Sequence, residues 1–215
     1  MVLFYVLLLI GIPFIYAAYL YPSLPEIIPT HFNIKGEADG FGGKDSIYLG
    51  PIIMGITSLI TYFFLTYIKK IDPKRSEQMD DGLFQKFGFF TVLFLTALSM
   101  VILYTSSHKG ISIEKLLFPM MGLAFAGMGL YMPKLKQNYF AGFKLPWTLE
   151  NVDNWNATHK IAGKVWLYGG VIQFFAGLVF SSVASFVIFF IAMVVMVLVP
   201  TIYSYRMFKN GNLFV

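Results

Sequence analysis

The sequence predicts an all-α integral membrane protein with six transmembrane helices, both termini in the cytoplasm, a compact outer loop and an interfacial inner helix. Composition and the spacing of charges carry that reading. The 215 residues are 57% hydrophobic and only 13% charged, with a mean hydropathy of +0.69, whereas a soluble domain carries about 25% charged residues. Five segments lack Asp, Glu, Lys and Arg altogether: Met1–Pro25, Ser46–Ile68, Phe87–Ser107, Leu116–Pro133 and Val165–Tyr205. A spanning helix needs ~20 apolar residues. The last segment holds 41 residues. As one helix it would reach ~62 Å, twice a hydrocarbon core of ~30 Å. It must therefore turn back, and Ser181-Ser182-Val183-Ala184-Ser185 is the polar break near its middle.

The spans then fall near residues 2–21, 49–68, 87–107, 116–133, 164–180 and 185–205. The first is a span rather than a signal peptide, because no Lys or Arg precedes Lys35 to form a basic leader. Orientation follows from the basic residues. With both termini inside, twelve of the sixteen Lys and Arg lie on the inner side. The four outer ones are Lys35, Lys44, Lys109 and Lys115. That split favours N-in, C-in. The chain divides into a first helical hairpin with its outer loop, residues 1–68 (loop 22–49), and a four-helix region, residues 69–215.

Between the spans, the outer loop Pro22–Gly50 is rich in turn residues. Three prolines stiffen its first half, and Gly36, Gly40, Gly42 and Gly43 permit positive φ in its second. Asp39-Gly40 reads as a tight-turn pair. The inner loop Lys69–Lys86 reads as a solvated helical hairpin, and His108–Lys115 as a short outer connector. Gly122-x-x-x-Ala126 with Gly127 and Gly129, and then Gly169, Gly170 and Gly177, give the fourth and fifth spans small faces for close packing. Gln173 is the main polar side chain of the fifth span. Pro200 should kink the sixth.

The stretch Pro133–Gly163 is the longest inner segment not built for lipid. Thr148 reads as the N-cap of a short helix from Leu149, with Val152, Trp155, His159 and Ala162 on one face. Glu150, Asp153, Asn154 and Lys160 lie elsewhere. Spacing supports two readings: a surface helix with tryptophan anchors at headgroup level, or a specific site. Candidate binding or signalling residues are Lys134, Lys136, Asn138, Lys144, Trp147, Thr148, Trp155 and His159.

Several chemistries are excluded or weakened. With no cysteine, disulfides and thiolate sites are impossible. No span carries Asp, Glu, Lys or Arg, which argues against a proton-relay transporter. There is no nucleophile elbow, phosphate loop or HExxH motif, and nothing points to direct nucleic-acid binding. The outer loop offers His31, Asn33, Asp39 and Lys44. Glu26, His31, Asp39 and His108 could together hold a divalent metal such as zinc. On that reading Glu26, His31 and Asp39 are catalytic, Asn33 orients, and the protein is a metal-dependent, membrane-embedded hydrolase of peptides, esters or lipids. An inner version would use His159, Asn138 and Asp153. A third reading is a purely structural or lipid-sensing role.

Two groups of residues also resemble a known family. Pro133-Lys134-Leu135-Lys136, Asn138, Gly142, Pro146-Trp147-Thr148-Leu149, Trp155, Thr158-His159 and Gly163 resemble the signature of the SdpI family of bacterial immunity proteins. Leu24-Pro25, Ile28-Pro29, His31-Phe32-Asn33, Gly36, Asp39-Gly40 and Lys44 resemble the short domain of unknown function that precedes it in many members. Lys144 stands where the resemblance leads one to expect arginine, and Ala38 where it leads to proline. The resemblance implies a multi-pass protein of the bacterial plasma membrane that protects its cell from a secreted antimicrobial peptide. It also implies partners: membrane lipid, a peptide toxin outside and a cytoplasmic regulator inside. Family membership alone does not establish function.

Overall fold

The structure, a computed structural model, describes residues 2–33, 37–71, 81–108 and 113–211. Its helices are α1 (Val2–Leu20), α2 (Leu49–Thr66), α3 (Ile68–Ile71), α4 (Asp81–Ser107), α5 (Glu114–Tyr131), α6 (Pro146–Glu150), α7 (Val152–Val179) and α8 (Ser182–Gly211). Two strands, β1 (Ile27–Phe32) and β2 (Ala38–Gly43), form one antiparallel hairpin. Among the described residues, six helices are long and apolar enough to cross a membrane. The chain is a multi-pass, all-α membrane protein. The contacts of the described residues group into two compact units, one of residues up to 117 and one from 118 onward.

In the first unit α4 packs along α1 and α2. Helix α1 is apolar on every side and shows Phe4, Leu7, Leu8, Ile12, Ile15 and Tyr19 at its surface. Such a helix suits lipid rather than water. Pro13 lies inside it. A proline has no N–H for the carbonyl four residues back, here that of Leu9, and Thr96 Oγ1 of α4 donates to that oxygen at 3.3 Å.

The expected outer loop is compact. A 3-10 turn, the hairpin and a second 3-10 turn at Lys44–Tyr48 fill it. Ala17, Leu20, Leu24, Ile28, Ile47 and Leu103 close beneath in one buried cluster. The Asp39-Gly40 turn is corrected: both residues sit inside β2, and Gly40 pairs with His31. A side chain at Gly40 would meet His31 Cβ at 2.8 Å, and one at Gly42 would meet Ser46 Oγ at 2.5 Å. These glycines make room and do not turn the chain. Gly36 and residues 72–80, the middle half of the expected hairpin Lys69–Lys86, lie outside the described residues.

In the second unit, from Phe118 onward, α5 and α7 touch backbone to backbone. A Cβ on Gly122 would meet Gly170 O at 2.6 Å, and one on Gly129 would meet Gly163 O at 2.8 Å. From the other side, Gly163 faces Pro133, Gly170 faces Ala126, and Gly177 faces Pro119. Gly163, Gly170 and Gly177 recur every seventh residue, so they form one stripe along α7. Gly169, expected in the same stripe, instead lies against Met196 of α8. Helices α7 and α8 form an antiparallel hairpin broken at Phe180, close to the expected serine turn. Pro200 lies inside α8, and its missing donor frees the Met196 carbonyl. Trp166 Nε1 donates to that carbonyl at 3.1 Å.

The interfacial helix runs into the fifth span, as the sequence leads one to expect, and the two form one continuous 28-residue helix, α7. Its cap is what differs. Asn151, not Thr148, caps it, its side chain accepting from Asn154 N at 2.8 Å.

The α5–α7 contact predicts a contrast of signs. Gly170→Ala should lower stability by about 1–3 kcal/mol, because backbone atoms cannot yield to a methyl group. Gly11→Ala, with nothing within 4 Å, should be neutral or slightly stabilising. Thermal unfolding of both variants in detergent checks this, and equal shifts would overturn it.

Candidate functional site

The stretch from Pro133 to Glu150 runs between α5 and α7 with little regular structure. Its peptide groups therefore need side-chain partners. Where that backbone is buried away from water, each unpaired N–H or C=O would be costly. The residues singled out from the sequence supply those partners.

Asn138 is 1% exposed. Its Nδ2 donates to Lys136 O, and its Oδ1 accepts from Phe140 N and Ala141 N, all at 2.8 Å. Asn138 thus writes a turn into the chain with one side chain. The turn leads to Gly142 at φ +105°, the one positive φ among the described residues. His159 Nε2 occupies the place where a Cβ on Gly142 would sit. That nitrogen accepts from Phe143 N at 3.0 Å, while Nδ1 lies 2.8 Å from Trp155 O. The pairing assigns the tautomer: Nε2 must be bare, so Nδ1 carries the proton and donates. A protonated ring would set an N–H against the Phe143 N–H.

Trp155 is fully buried, stacks on His159 with centroids 4.0 Å apart, and donates from Nε1 to Leu135 O at 2.7 Å. Thr148, also fully buried, donates from Oγ1 to Phe143 O at 2.6 Å and accepts from Leu145 N at 2.9 Å. It locks α6 from within rather than capping α7. Trp147 donates to Ser204 Oγ at 2.9 Å and packs between Tyr205 and Phe208 of α8.

Three sequence expectations change here. Trp155 is not a headgroup anchor, because its ring and its N–H are both enclosed. Val152 is 55% exposed, although helical spacing puts it on one face with the buried Trp155, His159 and Ala162. Asn154, placed away from that face, is 2% exposed, donates to Ser204 O at 2.9 Å and accepts from Thr158 Oγ1 at 3.0 Å. Gln137 and Ser204 carry no motif, yet Gln137 Nε2 donates to Thr148 O and Leu149 O at 2.8 and 2.9 Å. Only the burial of a polar side chain, which requires the fold, marks these two.

The lysines behave differently. Lys134, Lys136 and Lys144 are exposed. Lys134 lies 4.9 Å over the Tyr131 ring, and Lys144 Nζ donates to Phe140 O at 3.1 Å. The stretch thus has a locked interior and a cationic surface. His159 has no lone pair left for a metal, and Asp153 is exposed, so the structure does not assemble an inner metal site from His159, Asn138 and Asp153.

On the hairpin of the first unit the candidate residues form separate pairs. His31 Nδ1 meets Asp39 Oδ1 at 2.5 Å, and Lys44 Nζ meets Glu26 Oε1 at 2.9 Å. Asn33 bonds Glu37 through both its amide groups. His108 folds back onto Tyr104 O at 3.0 Å. Among the described residues no three His, Asp or Glu side chains come together as a metal would require. Glu26, His31, Asp39 and His108 therefore do not converge.

Residues 134–204 match the profile of the SdpI/YfhL protein family. That region, about a third of the chain, is similar to the SdpI/YfhL family. Residues 8–55 match a domain of unknown function, DUF1648, so the SdpI/YfhL region and the DUF1648 region follow in the order that the two groups of residues suggested. An uncharacterized protein of Archaeoglobus fulgidus is 35% identical over 54 residues, 25% of this chain and 30% of that protein. The matched segment thus spans less than a third of that relative. No solved structure matches the chain.

His159→Ala should cost about 1–3 kcal/mol, because it strands the buried Phe143 N–H. Gly142→Ala should cost at least as much, because it adds strain at positive φ to a collision with the imidazole. Lys136→Ala should leave stability within ~0.5 kcal/mol. Denaturation of the three purified variants separates locked from exposed positions, and a stable His159→Ala protein would contradict the assignment.

Proposed function

We propose that this protein is an immunity protein of the bacterial plasma membrane. It would protect its cell from a secreted antimicrobial peptide met by the hairpin, and dock a cytoplasmic regulator on the 133–163 stretch. The excess of basic residues near the latter supports placing it in the cytoplasm. One observation carries the reading. The buried part of the signature is spent on holding its own backbone, leaving Lys134, Lys136, Lys144 and the edge of Trp147 as its outward chemistry. That is a binding surface: exposed cations and an aromatic, with no paired nucleophile and base.

The hydrolase alternative needs at least three metal ligands and an open position. The described residues bring only His31 and Asp39 into contact, and both are well exposed, at 72% and 46%. That pair closes the hairpin across its two strands.

Deletion of the gene should sensitise the host to the antimicrobial peptides secreted by its own culture, and a plasmid copy should restore protection. Unchanged sensitivity would overturn the immunity reading. Replacing Lys134, Lys136 and Lys144 together by Glu should leave the fold and protection intact but abolish the transcriptional response to the peptide. An unaltered response would remove the docking role.

A further inference from the structure

The first unit holds a small pocket, partly open at its mouth, where α1, α2 and α4 meet. It is lined by Ile10 and Pro13 of α1, by Met54 and Ser58 of α2, and by Thr96 and Ser99 of α4, among others. No charged side chain lines it. Three hydroxyls do, in helices otherwise made for lipid. Ser58 and Ser99 are each 1% exposed and Thr96 is 8% exposed. Ser99 Oγ, wholly enclosed, has no hydrogen-bond partner among the described residues. Thr96 donates its proton to the Leu9 carbonyl freed by Pro13, so its oxygen is left to accept.

We propose that this cavity is a binding site for one water molecule, which joins Ser99, Ser58 and Thr96 across the three helices. Size selects the ligand. The cavity volume is about 10 Å³, close to the least that holds one water and far below what a lipid or peptide group needs. Charge selects it too. With only neutral hydroxyls and a carbonyl near by, an ion would lose its hydration for no opposite charge. A water can accept from Ser99, donate to Thr96 Oγ1 and exchange a bond with Ser58, the three partners typical of a buried water. The site sits where Pro13 breaks the ladder of α1. The water therefore completes a polar seam that Thr96 begins, and ties the proline-loosened helix to its neighbours.

The test uses the full chain in nanodiscs. A structure at a resolution that shows ordered solvent should have density within hydrogen-bond distance of Ser99 Oγ, and an empty cavity would overturn the proposal. Thermal unfolding gives an independent readout. Ser99→Ala should lower the melting temperature if the hydroxyl holds a water, and leave it unchanged or raised if the hydroxyl is merely orphaned, which would overturn the proposal. Ser58→Ala and Ser99→Ala should be non-additive, since each disrupts the same bridge. A strictly additive pair would reject a shared water, including the case in which Ser99 simply bonds back to its own helix.

Discussion

A polypeptide that leaves regular structure inside a membrane protein must still satisfy every peptide group, and much of this fold depends on how that is done. Between α5 and α7 the chain has few helical bonds of its own. Asn138, Thr148, Trp155, His159 and Gln137 replace them, each bonding to a backbone group of the stretch or its edges. The cost of leaving one such group unpaired away from water is several kcal/mol on transfer to a medium without donors. Side chains that meet this need are confined in type and position. This accounts for a signature of Asn, Gly, Thr, Trp and His without invoking catalysis.

The same constraint recurs at the prolines. Pro13 and Pro200 each free a carbonyl inside a spanning helix. Each carbonyl receives a donor from a neighbouring helix, Thr96 in one case and Trp166 in the other. A proline in such a helix thus becomes a point of attachment between helices. The glycine stripe of α7 provides the complementary device. It brings backbones close enough for dispersion to hold α5 and α7 together where apolar side chains gain nothing by leaving lipid. Polar donors and absent side chains, rather than large apolar ones, specify these contacts.

This division separates the residues that build from those that can bind. The enclosed residues of the signature hold backbone, while its lysines and the aromatic edge at Trp147 face outward. On the hairpin, exposed pairs such as His31–Asp39 and Glu26–Lys44 close strand against strand and turn against strand. Among the described residues, neither region gathers the three His, Asp or Glu side chains that a metal would need.

The spans, the break near Ser181, the small faces of α5 and α7 and the unusual character of Pro133–Gly163 were legible in the sequence. Each rests on local composition or on a helical period, which neighbouring residues express directly. The family resemblance was legible for the same reason, as a string of residue types in order. The roles within it were not. Trp155 reads equally as an anchor or a core residue until Leu135 is found beneath it. Ser204 is featureless until Trp147 and Asn154 reach it across 57 and 50 residues. Asp39-Gly40 reads as a turn until His31 lies opposite. The sequence by itself determined how many helices cross and where the chain must leave them, because hydropathy is a property of each segment alone. Only the tertiary structure decided which polar groups are spent and which remain available, because a hydrogen bond belongs to two residues and the second is usually distant in the chain.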